Sequence, residues 1–149
     1  MWAAWEDTRS GASDIRLNVS LDGGKTWSPT STRADTGDGL GATSSLAPRI
    51  ALGKDDAVHV TWRDLRFPTS AVLANVSNNL GRDVHPDAGT VFRMDIDTGS
   101  LLRGSGADSQ FPLVLASPTT NRAAVYWVDQ QDASGNNGQN GDIYTRTLE

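Results

Sequence analysis

A pattern that combines tryptophan, aspartate and arginine recurs along the chain and brings chemically versatile side chains together. It reads Trp-x-Asp, with an arginine two residues further on in the first two copies. The copies comprise Trp5, Asp7 and Arg9, then Trp62, Asp64 and Arg66, and finally Trp127 and Asp129, with 57 and 65 residues between successive tryptophans.

Arginine and aspartate both form charge-assisted hydrogen bonds, so these residues suit ligands rich in hydroxyl or carboxylate groups. The candidate ligand-binding residues are therefore Asp7, Arg9, Arg49, Asp64, Arg66 and Asp129, with Arg49 placed near the start of a neighbouring strand. The alternative is local: each arginine pairs with an aspartate of its own hairpin, as Arg9 would with Asp7 or Asp14.

The composition excludes several other chemistries. The 149 residues include no cysteine, so disulfides, thiolate metal sites and cysteine nucleophiles are ruled out. The two histidines, His59 and His85, predict no metal site, and no motif indicates a cofactor. The net charge of −5 argues against a nucleic-acid partner. No apolar run approaches the length of a membrane span, and the N-terminal residues do not resemble a signal peptide, which leaves the compartment open.

Strands joined by tight turns are expected to position the repeated pattern. Val58, Val60 and Trp62 alternate with His59 and Thr61, the period of two that is typical of a β-strand. Upstream of the second and third copies, apolar runs begin with a proline, which predicts a hairpin partner that starts at Pro48 or Pro112. No window shows a helical stripe. The sequence therefore predicts an all-β chain of four-stranded antiparallel units over residues 1–40, 41–105 and 106–149, with a β-sandwich as the alternative.

A second motif follows the third strand of the first unit. It has the pattern Ser-x-Asp-x-Gly-x-Thr-Trp, and its defining residues are Ser20, Asp22, Gly24, Thr26 and Trp27. The motif resembles the Asp-box of bacterial neuraminidase repeats, and a weaker copy spans residues 77–84. Aspartate accepts backbone hydrogen bonds in turns, glycine tolerates positive φ, and a buried indole would anchor the loop. We therefore expect the box to stabilise a hairpin loop.

The resemblance implies a sialidase-like fold for the single module 1–149. This would be a partial β-propeller of about two and a half to three four-stranded antiparallel blades. In that family the Asp-boxes lie on the side away from the active site, while the loops after Trp-x-Asp open towards the binding cleft. A partial ring exposes sheet faces, so a larger propeller context or self-association is expected.

The resemblance also defines which catalytic residues to look for. Family sialidases use a tyrosine nucleophile paired with glutamate, an aspartate acid–base and an arginine triad. The tyrosines here, Tyr126 and Tyr144, lie in predicted strands, and the glutamates are Glu6 and the terminal Glu149. No catalytic role can be assigned to a matched position. The expected function is glycan recognition without independent catalysis, in a secreted or cell-surface context. The alternatives are a fragment or complementing half of an exo-sialidase and a protein-interaction scaffold.

Overall fold

Ten β-strands build the part of the chain that the structure describes. The computed structural model describes residues 1–77, 91–95, 108–120, 122–131 and 137–148. The strands are β1 (Trp2–Asp7), β2 (Asp14–Val19), β3 (Thr32–Arg33), β4 (Ser45–Leu52), β5 (Val58–Asp64), β6 (Ala71–Ser77), β7 (Phe92–Arg93), β8 (Ser109–Ala116), β9 (Ala123–Gln131) and β10 (Asn137–Leu148). The helical structure in these ranges is a single 3-10 turn, Lys54–Asp56, and none of it could cross a bilayer.

The strands form three antiparallel sheets. Sheet 1 has the order β1-β2-β3, sheet 2 the order β4-β5-β6-β7, and sheet 3 the order β8-β9-β10. In each sheet, strands that are neighbours in the sequence are also neighbours in space, as in a meander. The all-β prediction is confirmed. Sheet 2 has the four strands that were predicted for each unit, whereas sheets 1 and 3 have three strands each among the described residues.

Apolar side chains pack the sheets against one another through two separate cores. Core 1 joins sheets 1 and 2 and consists of Ile15, Leu17, Ala34, Val60, Trp62, Ala71 and Leu73. Core 2 joins sheets 2 and 3 and consists of Val72, Ala74, Met94, Val114, Ala123, Val125, Trp127 and Leu148. Because side chains alternate between the faces of a strand, β6 contributes Leu73 to one core and Val72 to the other.

The antiparallel register gives every sheet two distinct ends. Asp7, Asp64 and Asp129 lie where β1, β5 and β9 approach the start of the next strand, and we call this the aspartate end. The opposite end carries the β4–β5 and β8–β9 hairpins. It also carries the loop from Ser20 to Trp27, because β2 runs away from the aspartate end. We call this the hairpin end.

The two prolines do not start their strands as predicted. β4 and β8 begin three residues earlier, at Ser45 and Ser109, and the pairing register shifts where each proline stands. The residues before the prolines, Ala47 and Phe111, have φ of 52° and 53°. A β-bulge accommodates the missing proline donor within the strand, which period and composition alone did not indicate.

Candidate functional site

In sheet 2 the repeated motif forms a compact cluster at the aspartate end. The Asp64 carboxylate accepts a hydrogen bond from the Trp62 indole nitrogen at 2.9 Å. It also accepts from the Arg66 backbone nitrogen at 3.0 Å, and from Nε and Nη2 of the same residue at 2.8 Å and 2.7 Å. Asp64 is fully buried, so its carboxylate orients the arginine and is shielded from solvent.

Sheet 1 repeats this cluster around Asp7. The carboxylate accepts from the Trp5 indole at 3.4 Å and from the Arg9 backbone nitrogen at 3.0 Å. Arg9 also donates from Nε at 2.9 Å and from Nη2 at 2.5 Å. The pKa of Asp7 lies well below its usual range, and the hydrogen bonds from Arg9 are the main cause. The local pairing of Arg9 with Asp7 is thus present in the structure.

The two arginines differ in what their outer nitrogens contact. Arg66 donates to the carbonyl oxygens of Thr36 at 3.1 Å and Asp35 at 3.0 Å, which joins sheet 2 to the chain beyond β3. Its side chain is 13% exposed, whereas that of Arg9 is 75% exposed. A ligand at the surface can therefore reach Arg9, while Arg66 is engaged between sheets.

Serine hydroxyls link aspartates of successive sheets at the aspartate end. Ser45 donates to Asp64 at 3.3 Å, and Asp35 is an alternative acceptor for the same hydroxyl proton. Burial raises the pKa of Asp35 despite the hydrogen bond from Ser45 and the charge of Arg33. These contacts lie in the interior, so they connect sheets 1 and 2 and are shielded from solvent.

The same arrangement recurs between sheets 2 and 3. Ser109 donates to Asp95 at 3.3 Å and lies 3.5 Å from Asp129, which is fully buried. The burial of Asp64, Arg66 and Asp129 favours the structural alternative for these three candidates.

An arginine cluster that the sequence analysis missed extends this polar junction. Arg33 forms ion pairs with Asp35 at 2.8 Å, Asp14 at 3.0 Å and Asp38 at 2.6 Å. A repeat in the sequence could have indicated the cluster, because Arg33-Ala34-Asp35 matches Arg93-Met94-Asp95, where the ion pair is again 2.8 Å.

Reachable polar groups collect beside the β4 bulge. Arg49 is exposed, and its Nη1 donates to the carbonyl of Pro48 at 2.9 Å. The exposed Glu6 accepts from the Ala47 backbone nitrogen at 2.8 Å, which brings its carboxylate to the bulge. Among the six candidate ligand-binding residues, Arg9 and Arg49 are the two exposed ones.

At the aspartate end, a second pair of solvent-accessible side chains bridges sheets 2 and 3. Arg63 lies 3.4 Å from Asp108, and both side chains are about one-third exposed. Burial raises the pKa of Asp108, but hydrogen bonds from Ser70 and Gln110 and the charge of Arg63 outweigh it and leave that pKa lowered. The carboxylate is therefore ionised at neutral pH. The sequence analysis did not single out this pair, since its members are 45 residues apart.

The Asp-box loop lies at the hairpin end and is held by its own residues. Asp22 accepts from the Thr26 backbone nitrogen at 2.9 Å and its hydroxyl at 2.7 Å, and from the Ser20 hydroxyl at 2.8 Å. These bonds lower the pKa of Asp22 to about 2, with the Thr26 backbone contributing most. Gly24 has a φ of 96° and donates to Ser20 at 2.7 Å. This geometry supports a structural role for the box.

One expectation about the box is wrong. Trp27 is 40% exposed, so its indole covers the loop only in part. The loop is held chiefly by the polar bonds of Asp22 and Ser20, which makes a deeply buried anchor unnecessary. Apart from Ser77, the weaker second copy at 77–84 lies outside the described residues.

The two tyrosines lie in the last two strands of sheet 3. Tyr144 stacks on Trp127 with the ring centroids 6.1 Å apart, and it packs against core 2. Tyr126 is half-buried in β9. No group of three potential metal ligands occurs among the described residues. Comparisons with family models, curated proteins and solved structures found no match to this chain.

Proposed function

We propose that this chain is a sialidase-like Asp-box repeat module that recognises glycans through the aspartate end of its sheets. The observation that carries the proposal is the set of reachable, mixed-charge groups at that end and beside the adjoining β4 bulge. Arg9 and Arg49 offer donors, while Glu6 and the Arg63–Asp108 pair offer both donors and acceptors. Such groups suit a sugar that bears hydroxyls and a carboxylate.

Buried aspartates would give this surface its rigidity. Asp7 fixes the Arg9 guanidinium through Nε and Nη2, so little conformational freedom remains to be lost when a ligand binds. Arg49 follows a bulge whose backbone is held by Glu6. Strands and hydrogen bonds therefore position both Arg9 and Arg49 at the surface.

The proposed architecture is a partial propeller in which each sheet is a blade. Three successive meanders that pack face to face, with Trp-x-Asp at the same end of each, support it. The Asp-box loop lies at the hairpin end, opposite the aspartate end, and this also agrees with the arrangement expected from the resemblance.

The experiment is a titration of the folded chain with 3′-sialyllactose and with lactose, followed by NMR chemical shifts. We expect saturable shifts with the sialylated sugar and at least a tenfold weaker affinity for Arg49→Ala. That change corresponds to the loss of about 1.4 kcal/mol, within the range of one charge-assisted hydrogen bond. Arg122→Ala is the matched control, because this exposed arginine lies at the hairpin end.

Three results would count against glycan recognition by this surface. Equal weakening by Arg122→Ala would indicate a non-specific charge effect. The absence of shifts with either sugar, on a folded protein, would favour the interaction-scaffold alternative. Release of fluorophore from a sialoside, abolished by Tyr126→Phe or Tyr144→Phe, would instead favour the exo-sialidase alternative.

A further inference from the structure

The outer face of sheet 3 carries a group of apolar side chains that no other part of the described chain covers. These side chains alternate with those that enter core 2 and belong to Leu113, Leu115, Tyr126, Val128 and Ile143, while Thr145 and Thr147 lie on the same face. Leu113 and Leu115 are each about half exposed. The strand register places Leu113 beside Tyr126, and Val128 beside Ile143, so the face is continuous. Continuous apolar surface of this kind marks an interaction site.

The repeat shows how the equivalent faces are used elsewhere in the chain. Ile15, Val72 and Ile143 occupy the same register position, one residue after the partner of the repeated aspartate. Ile15 is fully buried against sheet 2, and Val72 is fully buried against sheet 3. Ile143 is 76% exposed. In sheets 1 and 2 the next sheet therefore covers this position, whereas in sheet 3 the position is exposed.

Sheet 1 also has an exposed face, which is equivalent to the face that sheets 2 and 3 each pack against the preceding sheet. Trp62 and Trp127 cover the preceding sheet in core 1 and core 2, and both are almost completely buried. Trp5 is their equivalent in sheet 1, where it points away from core 1 on the same face as Ala3. Both residues remain partly exposed there.

We propose that the outer face of sheet 3 binds the Trp5 face of sheet 1 from a second copy of this chain. The contact would repeat, between molecules, the packing that occurs twice within the molecule. It is heterologous, because one copy contributes the Ile143 face and the other the Trp5 face. Each copy carries both faces, so association can extend head to tail into a closed ring or a longer assembly.

The test is the mass of the full chain in solution, measured by sedimentation equilibrium over a range of concentrations. We expect wild-type association that rises with concentration and is lost in Ile143→Asp. It should also be lost in Ala3→Arg, with Trp5→Ala as a second variant of that face. The matched control is Leu21→Asp, since Leu21 is 77% exposed in the Asp-box loop and should leave association unchanged. Circular dichroism establishes that each variant is folded.

Mixing the variants distinguishes head-to-tail contact from other modes. Ile143→Asp keeps an intact sheet 1 face, and Ala3→Arg keeps an intact sheet 3 face, so an equimolar mixture should form heterodimers. Recovery of a dimer mass only in the mixture supports the proposal. A wild type that stays monomeric at every concentration overturns it. So does association that survives both substitutions, or that responds to Ile143 but to neither Ala3 nor Trp5.

Discussion

At the scale of the residue, the Trp-x-Asp-x-Arg motif leaves its arginine exposed in sheet 1 and engages it between sheets in sheet 2. Arg9 and Arg66 make matching bonds to the aspartate two residues before them. Arg66 additionally donates to the carbonyls of Asp35 and Thr36, whereas the outer part of Arg9 faces solvent. The motif itself therefore orients an arginine, and its surroundings decide whether that arginine joins sheets or remains reachable.

Alanine substitution of the two arginines should separate these roles. Arg66→Ala removes both inter-sheet bonds and leaves the buried Asp64 without its charged partner, so we expect the free energy of unfolding to fall by about 3 kcal/mol. Arg9→Ala is the matched variant and should lower the denaturation midpoint by much less, because the Arg9 side chain is 75% exposed and solvent screens its ion pair with Asp7. Urea titrations followed by circular dichroism measure both. Similar losses in the two variants would contradict this assignment.

At the scale of the element, the edge strands β4 and β8 share one irregularity. Both insert a bulge at an X-Pro pair, and in both the residue before proline has positive φ. Non-glycine residues rarely adopt this conformation, so its presence at the same place in two sheets indicates a feature that the fold requires. In sheet 2 the bulge is also tied to sheet 1, because the Ala47 backbone nitrogen donates to Glu6.

Substitutions at Ala47 measure the energetic cost of its positive φ. Ala47→Val introduces a β-branched side chain that disfavours this conformation, and we expect a loss of about 1–3 kcal/mol in the free energy of unfolding. Ala47→Gly accepts the conformation and should change stability by less than about 1 kcal/mol. Thermal and urea unfolding provide the measurements. A valine variant as stable as the glycine variant would show that the bulge is not held in this geometry.

Strand β5 carries a buried histidine, which should make stability depend on pH. His59 is almost completely buried, and neither ring nitrogen has a hydrogen-bond partner among the described residues. Its ring lies against Gly53, where an added methyl group would approach Nε2 to 2.9 Å. Burial lowers the pKa of His59, so the folded protein disfavours the protonated form.

The sign of the resulting pH dependence follows from linkage. Below about pH 6.5 the unfolded chain takes up a proton at this histidine, while the folded chain does not until lower pH. Stability should therefore fall with decreasing pH, with a slope of at most about 1.4 kcal/mol per pH unit from this group. His59→Leu should remove that component when urea unfolding is compared from pH 7.5 to 5. An unchanged slope would show that the folded protein protonates His59 without penalty.

At the scale of the whole molecule, stability is divided between two cores that share sheet 2. Each sheet contacts its neighbours in the sequence, and β6 contributes to both cores through its two faces. Chains built in this way gain stability from nearest-neighbour interfaces, as repeat proteins do. Polar links through Ser45 and Ser109 lie at the aspartate end of the two interfaces.

Loss of packing in core 1 should affect the unfolding of the whole molecule. Leu17→Ala removes a fully buried side chain between sheets 1 and 2, and we expect a loss of about 2–5 kcal/mol. Leu21→Ala makes the same chemical change at an exposed position and should alter stability by no more than about 0.5 kcal/mol. Tryptophan fluorescence and circular dichroism should report a single transition. A core 1 variant that melts in two separate steps would show that the cores unfold independently.

The sequence by itself determined the local elements. Alternation in Val58–Asp64 predicted β5, and the residues of the Asp-box predicted the loop that Asp22 and Thr26 close. These features depend on the period of two and on hydrogen bonds that span four residues, so neighbouring positions carry all the information. The strand content and the three units could be predicted for the same reason.

Only the tertiary structure decided which of the predicted site residues a ligand can reach. Arg9 and Arg66 are indistinguishable by motif, and their exposure differs because Asp35 and Thr36 approach only the second. The pairing of Arg63 with Asp108 likewise depends on where sheet 3 packs. Such contacts join residues 30 to 45 positions apart, and packing between sheets creates them, so no local pattern encodes them.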